Sequence, residues 1–329
     1  MKIVVAIYSE FRSWCIPEAE VERLRAEFPE HTFVRADDDA ETLAAILSAD
    51  VAFSSRITAD HLASAFRLQW IHSPAAGVGA MLFPEMVASP VVMTNSRGNS
   101  SRTIAEHVIA VALALLRSLP LAWRRQGERV WAQNEFNESG YVRTLRDARV
   151  LIVGLGSIGT ETARLASAFG AKVTGIRRRA GQSTDPDLTP VHIVPPSALM
   201  DELPRADIVV LSAPQTAETW HLLGDREFAA MKEDAVLVNV SRGKLVDEAA
   251  LVRTLEGGRL RGAALDVFAH EPLDPASPLW GRPDVLITPH VSGFHADHWP
   301  EATKLFAENL RRFAAGAPLL NQVDKRAGY

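Results

Sequence analysis

Apolar residues over the first hundred positions alternate between two patterns. Short continuous runs, "KIVVAIY", "TFVRA", "VAFSS", "LQWIHS" and "VVMTNS", read as strands. Between them, "PEAEVERLRAEF", "DAETLAAIL" and "ADHLASAF" repeat their apolar residues at the spacing of one helical face. A strand that is apolar at nearly every residue is buried on both sides, as in a parallel sheet covered by helices.

The polar stretch "NSRGNSSRT", residues 95–103, breaks this series and reads as a hinge, with Ser101 as the N-cap of the next helix. That helix is read over residues 104–122, "IAEHVIAVALALLRSLPLA"; its uninterrupted apolar run, Val108 to Leu116, is too short to span a bilayer. Residues 123–147 scatter Trp123, Trp131, Phe136 and Tyr141 among charges, which suits an interface, an active-site flap or core filling under a loop. A second alternating series follows: "RVLIVGLG", "AKVTGIR", "DIVVLSAP", "AVLVNVS", "GAALDVF" and "VLITPH". The stretch "PEATKLFAENLRRFAAG" closes it as a helix, with Pro300 near its start. The pattern predicts an α/β protein of two doubly wound parallel-sheet domains, the second inserted in the first. The closing helix either returns to the first domain or stays with the second.

Composition agrees with two globular cores: 329 residues, 47% hydrophobic and 23% charged. A formal net charge of −5 offers no basic excess for nucleic acid. The single Cys15 excludes an intrachain disulfide and fits a reducing compartment. The start, "MKIVVAIYSEF", lacks a signal-peptide cleavage pattern and reads as a buried strand. The expectation is a soluble cytoplasmic protein with neither nucleic-acid nor membrane partners. His290, His295 and His298 are close in sequence, but without a matching acidic cluster no metal is expected.

The first chemical signal is "VLIVGLGSIGTETARLASAFGAKVTGI". Gly154, Gly156 and Gly159 stand in G-x-G-x-x-G spacing between a strand and an amphipathic helix. The first glycine permits a tight turn, the second lets backbone approach a pyrophosphate, and the third lets helix pack on strand. The helix N-terminus then offers N–H groups to the anion, nearest at Ser157 and Ile158. An acidic residue usually ends the next strand and holds the ribose hydroxyls of NAD. Here Arg177 and Arg178 stand there, with Arg179 a weaker third candidate. A guanidinium pairs with a 2′-phosphate that a carboxylate would repel. The reading is NADP(H) as preferred coenzyme and NAD as the second; a solvated basic loop would tolerate either.

Three groups downstream fall just past strands, where ligands sit in open α/β sheets. They are Arg242 in "NVSRGKLVDEAAL", Glu271 in "LDVFAHEPL" and His290 in "TPHVSG". A 2-keto acid needs a cation for its carboxylate or carbonyl, a proton donor for its oxygen, and a carboxylate to orient that donor. Arg242, His290 and Glu271 supply these in turn.

The chain resembles the D-isomer-specific 2-hydroxyacid dehydrogenase family over essentially its whole length. The motifs that carry this are "VGLGSIG", "NVSRGKLVDEAAL", "LDVFAHEPL" and "TPHVSG", in that order. The resemblance implies a Rossmann cofactor domain, residues 99–291, inserted in a flavodoxin-like substrate domain, residues 1–98 and 292–329. It implies hydride transfer between NADP(H) and C2 of a small 2-keto or D-2-hydroxy acid, with Arg242 binding substrate, His290 as acid/base and Glu271 as its partner. It implies that backbone amides of Ala75, Ala76 and Gly77 hold the substrate carboxylate. Further cofactor contacts fall on Thr103, Ala213, Pro214, Val240, Ser241, Asp266 and Gly293, with Asp266 near the nicotinamide carboxamide. It implies a homodimer supported by the helix from about residue 101. At Arg177 the chain departs from NAD-using members and is similar to the glyoxylate and hydroxypyruvate reductase branch. Candidate pocket-wall residues are Trp131, Phe136, His295 and Trp299. The alternative is a nucleotide-sensing binding protein or corepressor-like use of the same fold; a sensor, however, has no need of a proton donor.

Overall fold

The computed structural model describes residues 1–138, 142–178 and 191–328. Tyr141 and Arg179 lie outside the described residues. The chain divides into two compact units, Met1–Asn99 with His295–Tyr329, and Ser100–Phe294.

The first unit holds β1 (Lys2–Ala6), β2 (Thr32–Arg35), β3 (Val51–Ser54), β4 (Trp70–Ser73) and β5 (Val92–Asn95). All pair in parallel, in the order β2-β1-β3-β4-β5. That is the flavodoxin-like order. Four helices interleave: α1 (Glu18–Glu27), α2 (Asp39–Ile46), α3 (Ala59–Ser64) and α4 (Pro84–Ala88). Side chains alternate along β1, so Ile3 and Val5 face one core and Val4 and Ala6 the other. The closing helix, His298–Ala314, packs on the face bearing Ile3 and Val5. Its Phe306 stacks on Phe53 at 4.4 Å and on Trp70 at 5.4 Å between ring centroids.

The second unit opens with α5 (Ser101–Leu116), α6 (Leu119–Gly127) and α7 (Gln133–Glu138). Its strands are β6 (Arg149–Val153), β7 (Lys172–Ile176), β8 (His192–Val194), β9 (Ile208–Leu211), β10 (Val236–Asn239), β11 (Gly262–Leu265) and β12 (Val285–Ile287). The sheet is parallel throughout, ordered β12-β11-β10-β9-β6-β7-β8. Its helices are α8 (Ser157–Ala168), α9 (Leu199–Glu202), α10 (Asp225–Ala230) and α11 (Glu248–Glu256). Strand order reverses between β6 and β9, and in open α/β sheets ligands bind beyond the carboxyl ends of the strands at such a switch point.

Three local expectations are corrected. The apolar helix does not run over residues 104–122: α5 ends at Leu116 and α6 leaves it at a 68° bend. Pro120 has no N–H to give the Leu116 carbonyl, and Ser118 turns into the left-handed region at φ 55°. The carbonyls of Leu115 and Leu116 instead accept the Arg261 guanidinium at 3.2 Å each. Ser101 is the first residue of α5 rather than its N-cap; Ser100 caps the helix without a side-chain hydrogen bond. Strand β8, absent from the sequence reading, sits at the edge of the second sheet. No single helix among the described residues is long and apolar enough to cross a membrane.

Candidate active site

Each glycine of the β6–α8 turn meets a distinct constraint. Gly154 lies at φ +102°, and a Cβ there would come within 2.4 Å of the Ala213 amide nitrogen. A Cβ on Gly159 would stand 2.3 Å from the Gly154 carbonyl oxygen, so strand and helix meet only without it. At Gly156 nothing lies within 4 Å of a built Cβ. The amides of Ser157, Ile158 and Gly159, in the first turn of α8, donate to no acceptor among the described residues. An open cradle lined by free N–H groups at a helix N-terminus fits a pyrophosphate. Across the switch point Ser212 Oγ donates to the Gly154 carbonyl at 2.8 Å, which ties the β9 end, with Ala213 and Pro214, to the glycine turn.

Arg177 follows β7 directly, half-buried, its amide donating to Val194 of β8 at 3.0 Å. Arg178 is exposed and pairs with Glu218 at 3.2 Å. Both partners of that pair are in solvent, where such contacts contribute about 0.2–1 kcal/mol and yield readily to a stronger ligand.

Arg242, Glu271 and His290 each follow a strand of the second unit, β10, β11 and β12. His290 Nδ1–H donates to Glu271 Oε2 at 2.7 Å, while Glu271 Oε1 accepts the Phe268 amide at 2.9 Å. The carboxylate is thus fixed by backbone on one side and directs the ring on the other. His290 sits at φ 54°, a left-handed conformation unfavourable for a side chain with a Cβ. Its amide donates to the carbonyls of Asp266 and Thr288 at 2.9 and 3.0 Å, which holds it there.

Asp266 governs the loop that carries His290. Its Oδ1 accepts Thr288 Oγ1–H at 2.6 Å and the Val291 amide at 2.9 Å; its Oδ2 accepts the Ser292 amide at 3.0 Å. Burial alone would push its carboxyl up, but these hydrogen bonds from Ser292, Thr288 and the two amides hold it below the usual range. Thr288 also meets His107 of α5 at 3.3 Å, and burial lowers the His107 ring below its ordinary value against the pull of Asp266.

Arg242 donates from Nη1 to the Ser241 carbonyl at 2.6 Å. Solvent reaches the side chain, yet the protein crowds its guanidinium: burial lowers its pKa, and the Glu271 carboxylate opposes that. It remains cationic at any working pH. Asn239 shapes this turn, its Nδ2 donating to the Arg242 carbonyl at 3.1 Å and its Oδ1 accepting Ser241 Oγ–H at 2.9 Å, with Val240 and Ser241 buried beside it. Gly243 completes it: a Cβ there would lie 1.8 Å from the Phe268 carbonyl carbon, so the Arg242 and Glu271 loops meet backbone to backbone. Glu248 of α11 accepts the Ala269 amide at 2.5 Å and secures the same loop. Sequence reasoning missed Asn239, Glu248 and Thr288. Thr103 lies half-buried in the first turn of α5, and Gly293 approaches the same helix end, a built Cβ meeting Ser100 Cβ at 3.4 Å.

In the first unit the loop after β4 carries Ala75, Ala76 and Gly77. Asn95 Nδ2 donates to the Ala76 carbonyl at 2.7 Å. The Ala75 amide is taken by Ser73 Oγ at 3.2 Å, whereas the Ala76 and Gly77 amides donate to no acceptor among the described residues. His295 and Trp299 belong to an aromatic group in this unit in which His298 meets Trp299 at 4.9 Å and Trp14 at 6.3 Å. Trp131 is 89% exposed, and Phe136 is half-buried on α7.

Residues 109–292 match the model of the D-isomer specific 2-hydroxyacid dehydrogenase NAD-binding domain. A glyoxylate reductase of Korarchaeum cryptofilum is 32% identical over 274 residues, 82% of this chain and 80% of the relative. A D-isomer specific 2-hydroxyacid dehydrogenase of Xanthobacter autotrophicus Py2, solved with NADPH and MES, superposes with a TM-score of 0.84 at 31% identity, covering 100% of this chain and 99% of that one. An NADPH-dependent glyoxylate/hydroxypyruvate reductase of Sinorhizobium meliloti, solved with NADP and sulfate, gives 0.82 at 27% identity and the same coverage. The chain spans 55% of the length of the mycobacterial D-3-phosphoglycerate dehydrogenases it also matches.

Proposed function

This chain belongs to the D-isomer specific 2-hydroxyacid dehydrogenase family, and from that premise we propose that it is an NADP(H)-dependent reductase of small 2-keto acids. The observation that carries the reading is the Glu271–His290 pair beside the cationic Arg242, in the unit that bears the glycine cradle. The coenzyme, when bound, supplies a hydride for C2 of the substrate.

The protein's own groups do the rest. The cradle Gly154, Gly156, Gly159, Ser157 and Ile158 binds pyrophosphate, Arg177 and Arg178 take the 2′-phosphate, and Thr103, Ala213, Pro214, Val240, Ser241, Asp266 and Gly293 line the remainder. Arg242 holds the substrate and draws electron density toward its carbonyl oxygen. Glu271 keeps a proton on His290 Nδ1, so Nε2 is the atom that gives a proton to that oxygen, or takes it back in the oxidative direction. In the first unit, the open amides of Ala76 and Gly77 take the substrate carboxylate, with Ala75 shaping their turn. The exposed apolar side chains of Leu119, Trp123 and Val130, on and just past α6, support assembly as a homodimer.

The test is a panel of 2-keto acids, glyoxylate and hydroxypyruvate among them, assayed with NADPH and NADH by loss of coenzyme absorbance. Turnover with NADPH well above NADH is expected. Tight NADPH binding without consumption by any keto acid would instead favour the nucleotide-sensing reading.

A further inference from the structure

His72 is wholly buried in an otherwise apolar part of β4, its ring against Phe53 at 5.5 Å and Phe306 at 5.7 Å. A buried imidazole costs stability unless its nitrogens are satisfied, and here both are. Trp70 Nε1–H donates to Thr94 Oγ1 at 2.8 Å, and that oxygen lies 2.6 Å from His72 Nδ1. His72 Nε2 lies 3.3 Å from Ser96 Oγ, which donates to the Ser73 carbonyl at 3.0 Å.

The protons in this chain have one consistent order. The Ser96 proton goes to the Ser73 carbonyl, so Ser96 Oγ accepts from His72 Nε2–H. In a neutral ring Nδ1 then accepts from Thr94 Oγ1–H, whose oxygen accepts from the indole. The relay ends on the two serines that hold the loop after β4. Ser73 Oγ accepts the Ala75 amide, and the Ser96 amide donates to the Ala75 carbonyl, each at 3.2 Å.

We propose that His72 is a positioning residue for the 75–77 loop, acting through Ser96 and Ser73 to aim the open amides of Ala76 and Gly77 at a substrate carboxylate. This rests on the reading of that loop given above. A neutral, fully bonded imidazole in a rigid sheet fixes the loop's anchor, which hydrophobic packing alone would leave free to rock.

The test uses the full chain with Ser96→Ala, His72→Asn and His72→Gln. Glutamine places a donor near Nε2, whereas asparagine reaches only the Nδ1 position. Ser96→Ala and His72→Asn should raise KM for the keto acid roughly twofold to tenfold, the effect of one neutral hydrogen bond. NADPH affinity should stay unchanged, and His72→Gln should remain near wild type. Hydrogen exchange of the peptide covering residues 74–79 should quicken in Ser96→Ala while β1 and β3 keep their protection. Unmoved KM and exchange in Ser96→Ala would overturn the proposal, as would equal damage from His72→Gln and His72→Asn. Faster loop exchange in a protein that reduces no 2-keto acid would support the anchor and defeat the enzymatic reading instead.

Discussion

Glu271 holds His290 Nδ1 at 2.7 Å with one carboxylate oxygen while its other oxygen is pinned by the Phe268 amide at 2.9 Å. A residue so placed has orientation as its function. His290→Ala should therefore lower kcat by about 10²–10⁴-fold, the range for loss of a general acid, with NADPH binding retained. Glu271→Gln should lower kcat less and leave KM for coenzyme unchanged. Steady-state kinetics with coenzyme titration by fluorescence checks both, and equal loss of coenzyme affinity would place these residues elsewhere.

Arg177 is half-buried at the end of β7, while Arg178 is already engaged by Glu218 at 3.2 Å. The two should contribute unequally. Arg177→Ala should weaken NADPH binding roughly tenfold to a hundredfold, as expected for one charge-assisted hydrogen bond, and leave NADH nearly untouched. Arg178→Ala should do less. Calorimetric titration of both coenzymes is the check; parallel losses for NADPH and NADH would remove the 2′-phosphate from this corner.

Gly243 admits no side chain, since a Cβ would stand 1.8 Å from backbone at Phe268. Gly243→Ala should destabilise the second unit by about 3 kcal/mol or more, at or beyond the upper end for overpacking. Because it separates the Arg242 loop from the Glu271 loop, kcat should fall in the fraction that still folds. Urea unfolding gives the first number, and a variant as stable as wild type would refute the contact.

Burial pushes the His72 ring down to about 3, whereas an unfolded histidine titrates near ~6.5. Between those values the unfolded chain binds a proton that the folded one lacks. Stability must then decline as pH falls from about 6.5 toward 3, by up to about 1.4 kcal/mol per pH unit from this group. His72→Gln removes the titration. The stability of wild type minus that of the variant, measured by denaturant unfolding at several pH values, should shrink through that window; a constant difference would show the ring is not held neutral.

The alternation of apolar strands and amphipathic helices made both parallel sheets legible, because strands such as Leu151–Val153 are buried on both faces and their sequence says so. The glycine cradle was legible because each glycine answers a local backbone demand. What escaped depends on tertiary neighbours. Apolar spacing carries on from Leu116 to Leu119 and masks the break that Pro120 makes, and the Arg261 guanidinium that satisfies the carbonyls at that break lies at least 145 residues away. Strand β8 has three residues, with His192 exposed, too short a run to stand out. Glu248 lies 21 residues from Ala269, whose amide it accepts, and Thr288 lies 22 from Asp266, so no local motif marks either. His72 reads in sequence as one more residue of a core strand.

Phe306 closes the aromatic stack with Phe53 and Trp70, yet it is encoded more than two hundred residues after them. On the ribosome the interrupting unit is complete before that ring emerges. The early sheet must wait with Ile3, Val5, Phe53 and Trp70 uncovered while its neighbour folds. A nascent chain stalled before residue 298 would present that bare face to chaperones, so synthesis of the last helix, rather than of the first strands, sets when the molecule becomes safe from aggregation.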